Sequence, residues 1–275
     1  MDAPGCQPDL PADFARWAIP NFVAGLPNPA TYLVDTAAGV VRDQVTNLVW
    51  QRTPIGPLPQ PDAQAACAAL VLDGNCDWRL PSRIELISIT DYTRSYPALP
   101  PGIWPDTMGQ DFWSASPELG STVRAWYVST TVGIIDTTIK TTALPVRCVR
   151  GGYTVPPAHY TADVDTVLDN STGLVWERVV DPGNFNHAQA MSRCASLPTA
   201  GGGWRSPSIN ELESLVDITE QSPAIHSLTF PQTPATLFWS RNVQVQDMSQ
   251  GWTVNFDNGS VARALTTALP TRCVR

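Results

Sequence analysis

The sequence predicts two tandem α+β domains, each with two helices packed on antiparallel sheet and each stapled by a disulfide. Three observations predict it. The chain is written twice: Leu48-Val49-Trp50-Gln51-Arg52 returns as Leu174-Val175-Trp176-Glu177-Arg178, Trp78-Arg79-Leu80-Pro81-Ser82 as Trp204-Arg205-Ser206-Pro207-Ser208, Phe112-Trp113-Ser114 as Phe238-Trp239-Ser240, and Arg147-Cys148-Val149-Arg150 as Arg272-Cys273-Val274-Arg275. One fold duplicated in tandem accounts for this. The element signals in each copy run β-β-α-α-long loop-β-β-β, the order of helices laid on an antiparallel sheet. Four of the six cysteines occupy equivalent positions in the two copies.

Residues 1–30 are rich in proline and lack periodicity, which reads as an extended N-terminal arm. Repeat one then spans 31–150, a Gly- and Pro-bearing linker 151–158, and repeat two 159–275. Each repeat opens with a strand-like run, Tyr32–Val34 and Tyr160–Asp163. A hairpin follows, Val40–Asp43 into Leu48–Gln51 and Val167–Asp169 into Leu174–Glu177, the second turned by Asn170-Ser171-Thr172-Gly173. The first helix is expected over 63–72 with Asp62 as N-cap, and over 187–197 with Asn186 as N-cap. Ser82-Arg83-Ile84-Glu85 and Ser208-Ile209-Asn210-Glu211 are capping boxes opening the second helix, serine at the N-cap and glutamate three residues on. Irregular stretches at 91–111 and 217–237 lead to the Phe-Trp-Ser strands. A hairpin closes each copy, turned near Thr131–Gly133 and at Asp257-Asn258-Gly259, and a last strand bears Arg-Cys-Val-Arg.

The repeat prunes the cysteine pairings. Cys67 and Cys148 match Cys194 and Cys273, while Cys6 and Cys76 have no counterparts. The economical scheme is Cys67–Cys148, Cys194–Cys273 and Cys6–Cys76, which implies an oxidising compartment: extracellular, cell-surface or periplasmic. Six reduced thiols are the alternative; no Cys/His spacing suits zinc, and no metal site is expected. The formal net charge is −8, with 10 basic against 14 acidic residues in 1–150 and 7 against 11 in 151–275. Without a polybasic run, nucleic-acid binding is not expected. No stretch approaches the roughly 20 apolar residues of a membrane helix. Met1–Pro4 shows neither the basic start nor the apolar core of a secretory signal, and the sequence leaves open whether a leader has been removed.

These landmarks in their order resemble the Lcl C-terminal domain family over residues 32–275. Trp-Arg-Leu-Pro-Ser before an acidic helix is also similar to the Arg-Leu-Pro-Thr segment of formylglycine-generating-enzyme-like domains. The resemblance implies a C-type-lectin-like fold and a secreted or surface protein, its best-described relatives being adhesins for glycosaminoglycans or other sulfated polysaccharides. This chain departs from them in its negative charge and in lacking a collagen-like Gly-X-Y stalk.

Several residues admit two readings. Glu85 and Glu211 could form a catalytic pair, but their N3 position assigns them to capping. Arg79 and Arg205 are either buried partners of a carbonyl or carboxylate, or ligand contacts. Trp78 and Trp204 read as core. His159, His187 and His226 all fall in repeat two with no ligand-like spacing; they read as ordinary surface or packing residues, and a mechanism shared by both copies cannot use histidine. Gln60-Pro61-Asp62 and Gln7-Pro8-Asp9 match a lectin calcium triplet but lie outside the long loop, so calcium is unsupported and no cofactor is expected. No Gly-x-Ser-x-Gly, His-Glu-x-x-His or phosphate-loop motif occurs.

The expected function is therefore binding or adhesion: recognition of a polysaccharide or surface protein through the long loops, with Tyr92, Arg94, Tyr96, Trp104 and Asp106 as candidate ligand contacts. Trp104 has no tryptophan counterpart in repeat two, so the fold does not demand it; the alternative reading is that these residues pack the loop down. The alternatives are a fibre or appendage subunit self-assembling through the N-terminal arm, and a formylglycine-generating-type oxidase, which needs a reactive thiol.

Overall fold

The computed structural model describes residues 14–105, 109–151, 159–265 and 268–275. The chain forms two compact units; the first begins at Pro20, and the second takes Phe14–Ile19 together with the C-terminal half.

In the first unit the opening strand β1 (Tyr32–Asp35) pairs antiparallel with β2 (Val40–Asp43), β2 with β3 (Val49–Gln51), and β3 with the last strand β9 (Val149–Arg150). The two ends of the repeat therefore meet in one sheet. Beyond β3, β4 (Ile55–Leu58) leads into helix α1 (Gln60–Ala68), then α2 (Arg83–Ser88). The Phe-Trp-Ser strand β5 (Asp111–Pro117) forms an antiparallel meander with β6 (Arg124–Ser129) and β7 (Ile135–Ile139), and β8 (Leu144–Val146) pairs back onto β4. Trp78 and Trp113 fill the core between α1 and the sheets, with Val40, Ala63 and Val146. Burying an aromatic this completely is a dominant contribution to such a core.

The second unit repeats the plan: β10 (Tyr160–Ala162), β11 (Thr166–Asp169), β12 (Val175–Glu177), α3 (His187–Ser196), α4 (Ile209–Glu213), then the meander β13 (Leu237–Val243), β14 (Gly251–Asn255), β15 (Val261–Ala264). Here the C-terminal segment holds its place through Val274, which bridges Trp176 on one side and Arg205 on the other.

Local rules explain most boundaries. Both capping boxes form: Ser82 and Ser208 accept from the N3 amides while Glu85 and Glu211 accept from the N-cap amides. Asn186 caps α3 with Gln189 in the reciprocal role. Asp62 does not cap α1. The helix starts earlier, at Gln60 with Pro59 in the cap position, and Asp62 sits in its first turn. Pro61 is the reason: its fixed φ and missing N–H suit the first helical turn.

The disulfides Cys67–Cys148 and Cys194–Cys273 join the first helix of each unit to its last segment, closing loops with separations of 81 and 79 residues. Cys76 is also disulfide-bonded; its expected partner Cys6 lies outside the described residues. The N-terminal segment is no free arm from Phe14 onward: Ala15, Trp17 and Ile19 are buried, and Asn21 bridges Pro29.

Candidate functional site

The residues repeated in both copies are committed to the scaffold. Arg79 donates from both terminal nitrogens to Glu85, each at 2.6 Å, and Glu85 is wholly buried. Arg205 and Glu211 repeat the fork at 2.6 and 2.7 Å. The capping glutamate thus also neutralises the arginine of the Trp-Arg segment, and bidentate geometry makes this a strong pair. Trp78 and Trp204 are buried, their indole N–H groups donating to the carbonyls of Leu72 and Thr199.

A second pair of arginines, marked in the sequence only as part of the repeated Arg-Cys-Val-Arg segment, is also committed to the scaffold. Arg147 is buried, its guanidinium 4.4 Å from the ring centre of Trp104 and 5.3 Å from that of Phe112, donating to the carbonyls of Gln51 and Arg52. Arg272 does the same in the second unit, over Phe230 at 4.8 Å, donating to the carbonyls of Glu177 and Arg178. Complete burial pulls Arg272 down to about 10; it remains charged at neutral pH.

This geometry corrects two of the loop expectations. Trp104 is 5% exposed and does have a counterpart, Phe230, each roofed by the buried arginine of its repeat. Tyr92 is 1% exposed, and Gly133 approaches so closely that a Cβ there would lie 2.7 Å from the Tyr92 ring. Both aromatics fill the core and offer no face to a ligand. Arg94 and Tyr96 are exposed on the loop, and Asp106 lies outside the described residues. Gln60 of the triplet before α1 is buried and donates to the carbonyl of Ser114. Gln7-Pro8-Asp9 lies outside the described residues.

The site of interest is in repeat two. A cleft of about 390 Å³ is lined by Phe14, His159, Tyr160, Leu215, Val216, Asp217, His226 and Thr229. Its frame is common to both copies. Tyr160 faces Asp169 across β10 and β11 as Tyr32 faces Asp43 across β1 and β2. Asp217 accepts from the amide and hydroxyl of Thr219 as Asp91 does from Thr93. The carbonyl of Thr229 accepts from Arg178 as that of Ile103 accepts from Arg52. Four lining positions differ in kind: Thr31, Thr90, Pro100 and Ile103 in repeat one stand where His159, Val216, His226 and Thr229 stand in repeat two. A feature present in one copy only is not demanded by the fold.

His159 lies between Phe14 and Tyr160, ring centres 4.0 and 3.9 Å away and nearly parallel. Its Nε2 is 3.5 Å from the buried Asp169 carboxylate. The Tyr160 hydroxyl is held well above its ordinary value, first by burial and then by the Asp169 and Asp217 charges, so it stays a neutral phenol. His226 pairs Nδ1 with the Thr229 hydroxyl at 2.7 Å, leaving Nε2 as its second polar atom. Asp217 uses Oδ1 for Thr219. The lining of the cleft therefore carries a carboxylate, two imidazoles and two hydroxyls beside Phe14 and the buried Leu215 and Val216. Among the described residues no cluster of three His, Cys, Asp or Glu has the arrangement of a metal site.

Fold and site together define a tandem, disulfide-stapled α+β protein in which the scaffold is duplicated and the loop regions differ between the copies. The family model for the Lcl C-terminal domain matches twice, over residues 39–150 and 165–275, and the chain belongs to that family. No curated protein matches the chain.

Proposed function

We propose that the chain is a binding protein of an oxidising, extracytoplasmic compartment that recognises a carbohydrate through the second-repeat cleft. The observation that carries this reading is the contrast between copies: the same Tyr-Asp frame, with His159, His226 and Thr229 lining it in repeat two where repeat one has Thr31, Pro100 and Ile103. Clefts with an apolar body and a few convergent polar groups are the usual form of small-ligand sites. Disulfides Cys67–Cys148 and Cys194–Cys273 support the compartment. The junction of each repeat's ends near one sheet, the helix-to-last-segment bridge and the long loop support a C-type-lectin-like architecture. An oxidase of the formylglycine-generating type is disfavoured because all five described cysteines are disulfide-bonded. A fibre subunit is disfavoured because Phe14–Ile19, from the arm that would contact a neighbour, belongs to the second unit.

The test is a glycan and matrix-protein array probed with the full chain. A glycan hit weakened by His226→Ala, and unchanged by Pro100→Ala at the counterpart position, is expected. Hits confined to proteins transfer the reading to a protein partner, and an array empty of both overturns it.

A further inference from the structure

The electrostatics of the cleft narrow its ligand. None of the described residues that line it is an arginine or lysine; the Arg16 guanidinium lies 5.0 Å from the ring centre of Phe14. The two carboxylates acting on Tyr160 are Asp169 and Asp217; Arg272, which opposes them, is spent on backbone carbonyls and the Thr233 hydroxyl. Asp169 is fully buried and its Oδ1 accepts from the amides of Ser171 and Thr172, so it contributes field rather than contact. Asp217 is part-exposed and its Oδ2 accepts no hydrogen bond among the described residues. A sulfated or carboxylated ligand would meet the like charge of Asp217, with no guanidinium or ammonium among the described lining residues to receive it. A ligand carrying an ammonium group meets the opposite: a carboxylate oxygen able to make a charge-assisted hydrogen bond.

The remaining polar atoms select the body that carries that amine. The Tyr160 and Thr229 hydroxyls and His226 Nε2 each donate or accept, which matches the hydroxyls of a sugar ring better than a bare alkyl chain. The part-exposed Phe14 supplies an apolar wall for the ring's C–H face. The volume, about 390 Å³, lies at the low end of ordinary ligand pockets and suits one ring rather than an extended chain.

We propose that the second-repeat cleft binds an amino sugar with a free ammonium group, with Asp217 as its charge partner and Tyr160, His226 and Thr229 as hydroxyl partners. This rests on the carbohydrate reading above and specifies the ligand class for it. It also sets this chain apart from a site for sulfated polysaccharides, which needs the opposite potential.

The experiment is calorimetric titration of the full chain, at neutral pH and low salt, with glucosamine, N-acetylglucosamine, glucose and Nα-acetyl-lysine amide. Asp217→Asn is the informative variant, because the amide keeps an oxygen for the Thr219 turn while removing the charge. Asp91→Asn, the same change at the repeat-one counterpart, is its control. Glucosamine is expected to bind, to lose about tenfold or more in affinity in Asp217→Asn, and to be unaffected by Asp91→Asn. N-acetylglucosamine, glucose and the lysine derivative are expected to bind at least about tenfold more weakly. Equal binding of the acetylated or neutral sugar, equal binding of the lysine derivative, insensitivity to Asp217→Asn, or no glucosamine binding overturns the proposal. Thermal unfolding of each variant separates a lost contact from a lost fold. Array hits that persist unchanged in Asp217→Asn would leave the carbohydrate reading standing while the ligand class fails.

Discussion

Glu85 is a heavily used carboxylate of the first unit, and replacing it by glutamine tests how the scaffold is held. It accepts two bonds from Arg79 at 2.6 Å and one from the Ser82 amide at 2.7 Å, and its side chain is 0% exposed against 6% for Arg79. Glutamine keeps one acceptor oxygen but removes the charge, leaving the Arg79 guanidinium uncompensated in a buried site. Breaking a buried pair this way costs about 3–5 kcal/mol. Glu211→Gln breaks the same fork in repeat two, but there the Arg205 side chain is 22% exposed and water takes up part of its charge. The expected cost is about 1.5–3 kcal/mol, that of losing hydrogen bonds to a charged group. Native-state hydrogen exchange of the full chain reads each locally, from peptides covering α2 and α4. Removing both charges with Arg79→Met and Glu85→Gln should recover much of the loss, since no lone charge is left. A cost below about 1 kcal/mol for Glu85→Gln, or an equal or larger cost for Glu211→Gln, would refute the reasoning.

Three further outcomes follow from the packing. Gly133→Ala places a Cβ 2.7 Å from Tyr92 at a φ of 92°, and is expected to destabilise the first unit by about 1–3 kcal/mol in chemical unfolding; a neutral result would show that Tyr92 can move. Cys194→Ser with Cys273→Ser removes a link closing a separation of 79 residues and should cost about 2–4 kcal/mol, read as loss of exchange protection in the second unit with the first unchanged. Burial holds His187 below its ordinary value despite its 2.9 Å bond to the Ser240 carbonyl. Because the folded value is the lower one, the unfolded chain takes up the proton first on acidification. The second unit should therefore lose stability as pH falls from about 6.5 towards the folded value, and His187→Gln should flatten that slope; an unchanged slope assigns the effect elsewhere.

Much of the scaffold was legible because its determinants are local or duplicated. The serine-glutamate spacing placed α2 and α4, the Asn258-Gly259 pair placed the turn between β14 and β15, and repeat equivalence picked out Cys67–Cys148 and Cys194–Cys273. Where two local rules competed, the stronger backbone constraint prevailed, as with Pro61 over Asp62 at α1. Strand β4 escaped notice because Gly56 and Pro57 give it the composition of a turn, although Ile55 and Leu58 pair with β8. Trp104 was misread because identity, rather than aromatic character, was taken as the mark of equivalence; matching it with Phe230 would have placed both in the core. One compensation shows how closely the copies track each other. Gly251 stands where repeat one has Ala125, and a Cβ there would meet Trp239 at 2.6 Å and His187 at 2.8 Å, so the glycine makes room for the histidine. The cleft was not legible at all. It depends on Phe14 joining the second unit from the far end of the sequence, and no local pattern encodes so distant a contact.

The central claim, that a duplicated scaffold has been specialised for recognition in its second copy, is tested most directly by a hydrogen-exchange footprint of the full chain with its glycan bound. Protection confined to 14–19, 159–160 and 214–230, with the repeat-one loop at 89–104 unchanged, is the predicted result. Protection centred on 89–104, around the exposed Arg94 and Tyr96, would contradict it and return recognition to the first repeat.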